Sequence, residues 1–550
     1  MTNVILNRKV VENLLEKKTN LELIKDKITM LGTPLENLND NELVIEVFPN
    51  RPDLLSEQGF SRALNSFLGY TKGLKEYNVN KSNLKVIVDN SVNKVRPYTS
   101  FFLVKNIKLN NDKIIELINI QEKLHLTFCR NRKKASIGIY PSEKITLPIY
   151  YKLMPKEKII FQPLESTRKM NVEEIFNTNE TAKKYVHLLD NLKEYPVFLD
   201  SKDNIMSLVP IINSNETGKI TQDTKEFFVE CTGTDLNTVN LLSNILATTF
   251  IDMKGEVYSM EIEYNDKTLI TPELKTNEMK INLDNVNKIL GLKLNENEIK
   301  KYLEMMGFNY ENKKVTIPCY RTDIINEIDL IEDIAIAYGY ENFNAELPNI
   351  STIGEENNFS IFKQKITNIL IGLNLLETSN YVIGNENNLN EKMLLKNDLI
   401  ILSNSLNQDY NSLRNWLIPG LLKVLSENKH NEYPQNIFEI GTIFKKGENE
   451  TNIAENERLA VVLCNNKADF TQIKQILDSL LSSLSLKYDI NDVDHESFIP
   501  GRVGRVSVNN KNIAYIGEIN PKVLENFNLE TPVSALELNL TELFEIIYPK

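Results

Sequence analysis

Four carboxylates, Asp323, Asp329, Glu332 and Asp333, fall within eleven residues of one another. The last three stand at i, i+3 and i+4, so on a helix they share one face. Leu330, Ile331, Ile334 and Tyr338 supply a core-facing stripe on the other side. Asp323 lies just before that helix begins. Like charges so close repel unless something offsets them, and a hard cation such as Mg²⁺ binds a few carboxylates plus water. The same residues also suit a simpler role, with Asp323 as an N-cap and an acidic first turn matched to the helix dipole. Other metal chemistry has less to build on. Cys129, Cys231, Cys319 and Cys464 are far apart, as are the four histidines, so zinc sites, redox pairs and His-based catalysis are poorly served. No Walker loop, dinucleotide-binding glycine signature or nucleophile elbow is present.

The elements that must carry these residues are an internal repeat. Ile28-Thr29-Met30-Leu31-Gly32, the strand Leu43–Val47, Arg51-Pro52-Asp53 and Gly69-Tyr70 form one copy. Leu303-Glu304-Met305-Met306-Gly307, the strand Val315–Pro318, Arg321-Thr322-Asp323 and Gly339-Tyr340 form the other. The aspartate and the Gly-Tyr pair are equally spaced in both. Each copy reads as a helix stopped by glycine, a hairpin and a second helix packing back. Asn295 and Glu298 make a capping pair, and Asn312-Lys313-Lys314 a turn. In the first copy the positions matching Asp329, Glu332 and Asp333 are Gly59, Arg62 and Ala63. Only Asp53, matching Asp323, remains. The fold therefore does not require the acidic cluster, which is special to the second copy.

Between the copies about 190 residues mix strand-like runs (Phe101–Val104, Ala135–Ile139, Lys158–Phe161, Phe227–Cys231) with helical patterns (Asp112–Phe128, Asn179–Asn191, Asp235–Thr249). After the second copy, the helix Phe359–Leu370 and strands Ile437–Ile440 and Leu459–Leu463 suggest a mostly antiparallel α+β domain. The 550 residues, 41% hydrophobic and 25% charged, are enough for roughly three to five domains. No apolar run is long enough to span a bilayer, and no leader pattern opens the chain, so a cytoplasmic protein is expected. A net charge of −12 argues against a surface that grips nucleic acid throughout. The basic run Arg130-Asn131-Arg132-Lys133-Lys134 is the local exception, serving either as a solvated turn or as an RNA contact.

Three regions carry a resemblance. Glu46-Val47-Phe48-Pro49-Asn50-Arg51-Pro52-Asp53-Leu54-Leu55-Ser56 resembles the first domain of the phenylalanyl-tRNA synthetase β subunit, archaeal or eukaryotic type. Pro318–Ile324 with Asp329–Asp333 resembles its B5 domain. Asn411–Arg414, Leu417–Leu422 and Phe438–Gly441 resemble its catalytic-like domain. The resemblance implies an α+β multidomain chain with two related small helix–hairpin–helix (B1/B5-like) domains, at 1–75 and 269–346. It places a mixed α/β B3/B4 editing-like domain at 80–266 and a class II synthetase-like antiparallel-sheet domain at 350–550. It also implies Mg²⁺ at Asp323, Asp329, Glu332 and Asp333. The partners would be an α subunit, in an (αβ)₂ heterotetramer, and tRNA(Phe). ATP would be a co-substrate of that complex, with the synthetic active site on α and none in the isolated chain.

A pocket shaped for phenylalanine rejects tyrosine poorly, by roughly a hundredfold, so a second, hydrolytic site is useful. The strings that match the family's editing domain are Phe128–Lys134, Pro210–Ser214 and Glu230–Asp235. They nominate Asn213, Ser214, Thr232, Thr234 and Asp235 to position water and recognise the tyrosyl hydroxyl. Turn and cap chemistry would explain the same residues, with Asp235 capping the next helix. Where the family continues with a His-Asp segment, this chain has Ile139-Tyr140-Pro141-Ser142-Glu143, and Val209-Pro210 replaces a double proline. A rearranged site is expected there. Two other readings use the same domains: a non-catalytic tRNA-binding scaffold, and a free-standing editing deacylase.

Overall fold

Leu43, Ile45 and Val47 are buried while their neighbours reach solvent, the period-2 pattern of a strand with one face in a core. This strand, Glu42–Val47, is the centre of a three-stranded sheet in the first copy, and Lys314–Ile317 is its counterpart in the second. A computed structural model describes residues 2–190, 192–349 and 352–549. The limits expected at residues 1, 350 and 550, and the end of the helical pattern at Asn191, lie outside these.

The repeat is present with one addition. Each copy has a third strand before its first helix, Thr2–Asn7 and Asn277–Lys280. Ile45 pairs with Val4, and Val315 pairs with Met279. The polar, largely exposed Asn277–Lys280 has no alternation to betray it. The expected local signals are in place. Asn295 and Glu298 form a reciprocal capping box, and Asn312 and Lys313 take the left-handed turn conformation at φ 50° and 60°. Gly32 and Gly307, at φ 93° and 82°, end the helices where a side chain would be strained.

The intervening segment forms a ten-stranded, mostly antiparallel sheet. Its strand Phe227–Gly233 is buried throughout and lies between Tyr98–Lys105 and Ala135–Pro141. Helices Asn111–Leu126 and Leu236–Asp252 cover one face. The expected strand Lys158–Phe161 shrinks to Ile160–Phe161, because Lys156–Lys158 is a 3₁₀ turn. The helical pattern from Asn179 becomes Glu180–Tyr185 followed by a 3₁₀ turn at Val186–Leu189. One buried cluster joins Val4 and Phe60 of the first copy to Phe102, Phe227 and Ile245 of the sheet layer and Leu330 and Ile334 of the second copy.

Residues to Glu346 make one unit and those from Leu347 another. The second unit has a seven-stranded sheet in which only Leu376–Glu377 pairs in parallel, with Asn358–Gly372 and Phe470–Ser483 among its helices. Among the described residues no helix is long and apolar enough to cross a membrane.

Candidate functional site

Glu230 interrupts the apolar run Phe227-Phe228-Val229-Glu230-Cys231 and is almost completely buried. Its strand places it opposite Gly138, where an added Cβ would collide with Glu230 Oε2 and the Tyr140 hydroxyl. That glycine gives the carboxyl room. Tyr140 donates to Glu230 Oε2 at 2.6 Å, and Thr232 donates to Oε1 at 3.1 Å. Glu230 and Thr232 face the same way because they are two apart on one strand. Ser136 Oγ lies 2.8 Å from the Thr232 hydroxyl, and Arg96 donates to both at 3.1 and 3.2 Å. Burial pushes the Glu230 carboxyl up to about 7, against the Tyr140 and Thr232 bonds and the Arg96 charge. Burial also raises the Tyr140 hydroxyl well above its usual value, with the Glu230 charge adding to it.

Glu230, Ser207 and Asn213 line a cavity of about 250 Å³. That is smaller than the roughly 300–1,000 Å³ of a drug-sized ligand site and suits a single side-chain-sized group. The Tyr140 hydroxyl stands 2.9 Å from Ser207 Oγ and 3.4 Å from Asn213 Oδ1. Arg132, at φ 63°, also lines the cavity and comes from the basic run. It donates to the Ile211 carbonyl at 2.8 Å and to Glu122 at 3.0 Å, and its guanidinium lies 4.3 Å from the centre of the Tyr185 ring. The basic run is thus a turn that sends one arginine into the cavity wall. His125 Nε2 accepts from the Ile137 N–H at 2.9 Å, so the neutral ring carries its proton on Nδ1, facing Glu122 at 3.2 Å. Burial pushes this imidazole down to about 4, although Glu122 pulls the other way.

The five nominated residues separate. Asn213 is in the wall and Thr232 stands behind Glu230. Ser214 is buried and caps the short helix Asn215–Gly218, accepting from Glu216 N–H. Thr234 and Asp235 are not part of the cavity wall. The strand ends at Gly233, so both are exposed, and Asp235 caps Leu236–Asp252 by accepting from the N–H and hydroxyl of Thr238 at 2.8 and 2.6 Å. Glu230, Tyr140, Ser207 and Arg132 were missed as site residues. The signal for Glu230 was a carboxylate inside a strand too apolar to carry one without purpose.

The second copy arranges its acids differently from the sequence expectation. Arg321 forks onto Asp323 at 2.8 and 2.7 Å and reaches Asp333 at 2.6 Å. Asp329 Oδ2 accepts from the N–H groups of Ile325 and Asn326, each at 2.7 Å. Glu332 is exposed and borders, with Asp329, a groove lined by Ile328, Ile331 and Tyr340. Partial desolvation by its neighbours and the charges of Asp333, Asp329 and Asp323 raise its carboxyl. Among the described residues no group of three or more His, Cys, Asp or Glu side chains is gathered as a metal cage. As placed here, Asp323 and Asp333 are engaged by Arg321. Glu332 and the second oxygen of Asp329 do fit the one or two carboxylates that a largely hydrated Mg²⁺ takes. The first copy repeats the fork, with Arg51 donating twice to Asp53 at 2.9 Å.

In the second unit Arg414, Arg458 and Arg502 are held by its own acids, while Arg505 donates to the Asn512 carbonyl and lies over the Tyr515 ring. Arg414 pairs with Glu439, which also accepts from Asn380. Arg458 pairs with Glu537 at 3.2 Å, and Glu537 accepts from the first N–H groups of the helix Ile418–Glu427.

Two family models match the chain: the tRNA synthetase B5 domain over residues 279–340, and the phenylalanyl tRNA synthetase β chain CLM domain over 344–540. The phenylalanine–tRNA ligase β subunit of Pyrococcus horikoshii is 39% identical over 501 residues, covering 90% of this chain and 90% of its own. That of Archaeoglobus fulgidus is 37% identical over 532 residues, covering 95% and 96%. Among solved structures, an N-terminal fragment of the phenylalanyl-tRNA synthetase β subunit from Pyrococcus horikoshii superposes with a TM-score of 0.59 at 35% identity. It covers 61% of this chain and 99% of the fragment.

Proposed function

The chain belongs to the phenylalanine–tRNA ligase β-subunit family, and from that premise we propose that it works with an α subunit to charge tRNA(Phe) and clears mischarged tyrosyl-tRNA(Phe) in the Glu230 cavity. The ligase complex is the setting. An (αβ)₂ assembly, ATP use by the complex and a cytoplasmic location are parts of this proposal.

The observation that carries the editing reading is Glu230, a buried carboxyl aimed into a side-chain-sized cavity and held by hydroxyls. A carboxylate has about four acceptor positions, and Tyr140 and Thr232 take two. A tyrosyl hydroxyl entering the cavity can use another, whereas a phenylalanyl ring offers no donor and leaves the buried acid with nothing in exchange. A site that hydrogen-bonds a substrate hydroxyl discriminates by about 10⁴ to 10⁵. Asn213 in the wall would position the water that adds to the ester carbonyl. The ester C–O bond then breaks, giving tyrosine and free tRNA. Without a strong base at the ester, the rate would rest on positioning. Ser214 and Thr232 act as positioning residues. Thr234 and Asp235, exposed at the end of the strand, would meet the tRNA rather than the ring.

Two further elements complete the reading. The pairing of Arg414 and Arg458 with buried glutamates supports a second unit that holds no ATP phosphates, leaving synthesis to α. In the second copy, Glu332 and Asp329 would hold a hydrated Mg²⁺, while Asp323 and Asp333 could join only by releasing Arg321. When bound, such an ion would supply charge neutralisation and not reaction chemistry.

The test is co-expression with the α partner. The complex should form phenylalanyl-tRNA, and the isolated chain should give no phenylalanine-dependent ATP–pyrophosphate exchange. Release of tyrosine from tyrosyl-tRNA(Phe) should collapse in Glu230→Gln and fall only partly in Asp235→Ala. Unchanged release in Glu230→Gln would remove the cavity from the reaction.

A further inference from the structure

Glu230 is not the only acid in its cavity. Glu122, on the helix Asn111–Leu126, lines the same space. Its two oxygens are used unequally. Oε1 takes both internal bonds, from Arg132 at 3.0 Å and from the Nδ1 side of His125 at 3.2 Å. Among the described residues Oε2 accepts no hydrogen bond, and it stays open to solvent on a side chain that is 43% exposed. The hydrogen bond from His125, with the charge of Arg132 adding to it, holds this carboxyl down to about 2 against partial burial. Glu122 is therefore ionised at the neutral pH where Glu230 titrates. Two acids in one site whose surroundings push them apart suit different tasks.

Their depth differs too. Glu230 is 3% exposed, so the acid near its titration point is the deep one and the ionised acid is the one that solvent reaches. A tyrosyl ester has its parts in a matching order. The phenol hydroxyl is at one end, the ring follows, and the far end carries an α-ammonium beside the ester that leads out to the tRNA. The charge of the lining also suits a cation, with Glu122, Glu165 and Glu230 against Arg132 alone. Glu165 is a weaker candidate for that cation. It sits exposed in a turn at φ 67° with no side-chain bond to the described residues, whereas two neighbours pin Glu122.

We propose that Glu122 Oε2 receives the α-ammonium of the aminoacyl group and so fixes the ester end of the substrate while Glu230 bonds the hydroxyl end. This anchor rests on the editing role proposed for the cavity and adds a second hold on the same substrate. Arg132 and His125 act as positioning residues, because they occupy Oε1 and leave Oε2 to the ligand. An acyl group whose nitrogen is blocked, as in a peptidyl ester, has no ammonium to give and binds poorly.

The test is calorimetric titration of the full chain with L-tyrosinamide and with its deamino analogue, which lacks only the ammonium. Near about pH 6.5, where an α-amino group is protonated, the parent should prefer tyrosinamide by about tenfold, the scale of one charged hydrogen bond. Glu122→Gln can still accept from Arg132 and His125 through its amide oxygen. It should erase the preference and leave the affinity for the deamino analogue unchanged. Glu230→Gln should weaken both compounds and keep the preference, and Glu165→Gln should change neither. A preference that survives Glu122→Gln, or one that Glu165→Gln erases, overturns the proposal with the editing role intact. An equal loss for both compounds in Glu122→Gln makes Glu122 a wall residue and also overturns it. If the parent binds neither compound, the editing role falls and the anchor with it. If Glu122→Gln does not fold, pH carries the test. An α-amino group titrates near about 8, so raising the parent to about pH 9 should shrink its preference about tenfold, with the deamino analogue correcting for Glu230. A preference unchanged at that pH overturns the proposal.

Discussion

Glu230 and Asp333 are both carboxylic acids buried in apolar surroundings, and burial raises the pKa of each. They differ in what faces them. Asp333 meets a full positive charge on Arg321, which Asp323 shares. Glu230 meets hydroxyls, with Arg96 one residue further back. A guanidinium pulls an acid back toward its ionised form, against burial, and spends it on structure. Hydroxyls leave the acid near its own titration point and able to bond a newcomer. The contrast assigns Asp333 to holding the second copy together and Glu230 to recognition.

The largest effect that could break this contrast is at Arg321. Arg321→Met strands two buried carboxylates, and removing one partner of a buried pair typically costs about 3–5 kcal/mol. Urea unfolding should show a loss in that range. Arg51→Met, which strands only Asp53, should lose less, and the reverse order would break the contrast.

Next comes Glu230. Its folded pKa of about 7 lies above the ordinary value of 4.5. Stability from the neutral acid is therefore full below about pH 4.5, falls as pH rises, and is gone above about pH 7. Glu230→Gln should abolish that slope. At pH 8 the variant should be more stable than the parent by up to roughly 3 kcal/mol, and near pH 4 about equal. Urea midpoints at both pH values decide it, and a parallel loss at both would make Glu230 another structural acid.

A smaller change sharpens the second copy's side of the contrast. Asp329→Gly removes the acceptor for two N–H groups and puts glycine in a helix, a loss of about 1–2 kcal/mol. The reciprocal Gly59→Asp should be worse than neutral, because a Cβ at Gly59 collides with the Asp53 carbonyl. Thermal melts of the two rank them. Smallest is Glu332→Gln, which should leave unfolding in chelator almost unchanged while removing any rise in melting temperature on adding Mg²⁺. A rise that survives the substitution places the ion elsewhere.

The repeat was legible because its cues are local. Spacing, capping residues and glycine stops lie within a few positions of each other, and the hairpin pairings of Ile45 with Leu35 and of Val315 with Tyr310 follow from them. The third strand of each copy was not legible, since Asn277–Lys280 is held by its neighbour and not by its own pattern. The candidate site divides the same way. Asp235 announced its cap, and the cap is what it makes. Glu230 acquires meaning only through Tyr140 and Gly138 on the adjacent strand, about ninety residues earlier. Tyr140, in a segment read only as a departure, supplies the shortest bond to the buried acid. Arg321 belongs to a motif visible in the sequence, but its reach across to Asp333 depends on how the following helix folds back.

The buried cluster running from Val4 through Phe227 to Ile334 does not stop where the repeat stops. Residues before Glu346 should therefore melt in a single cooperative transition, with the Glu230 cavity losing its shape at the temperature at which the first copy unravels. Truncating the chain module by module would cut through shared packing. A fragment meant to isolate the cavity needs both flanking copies as its insulation.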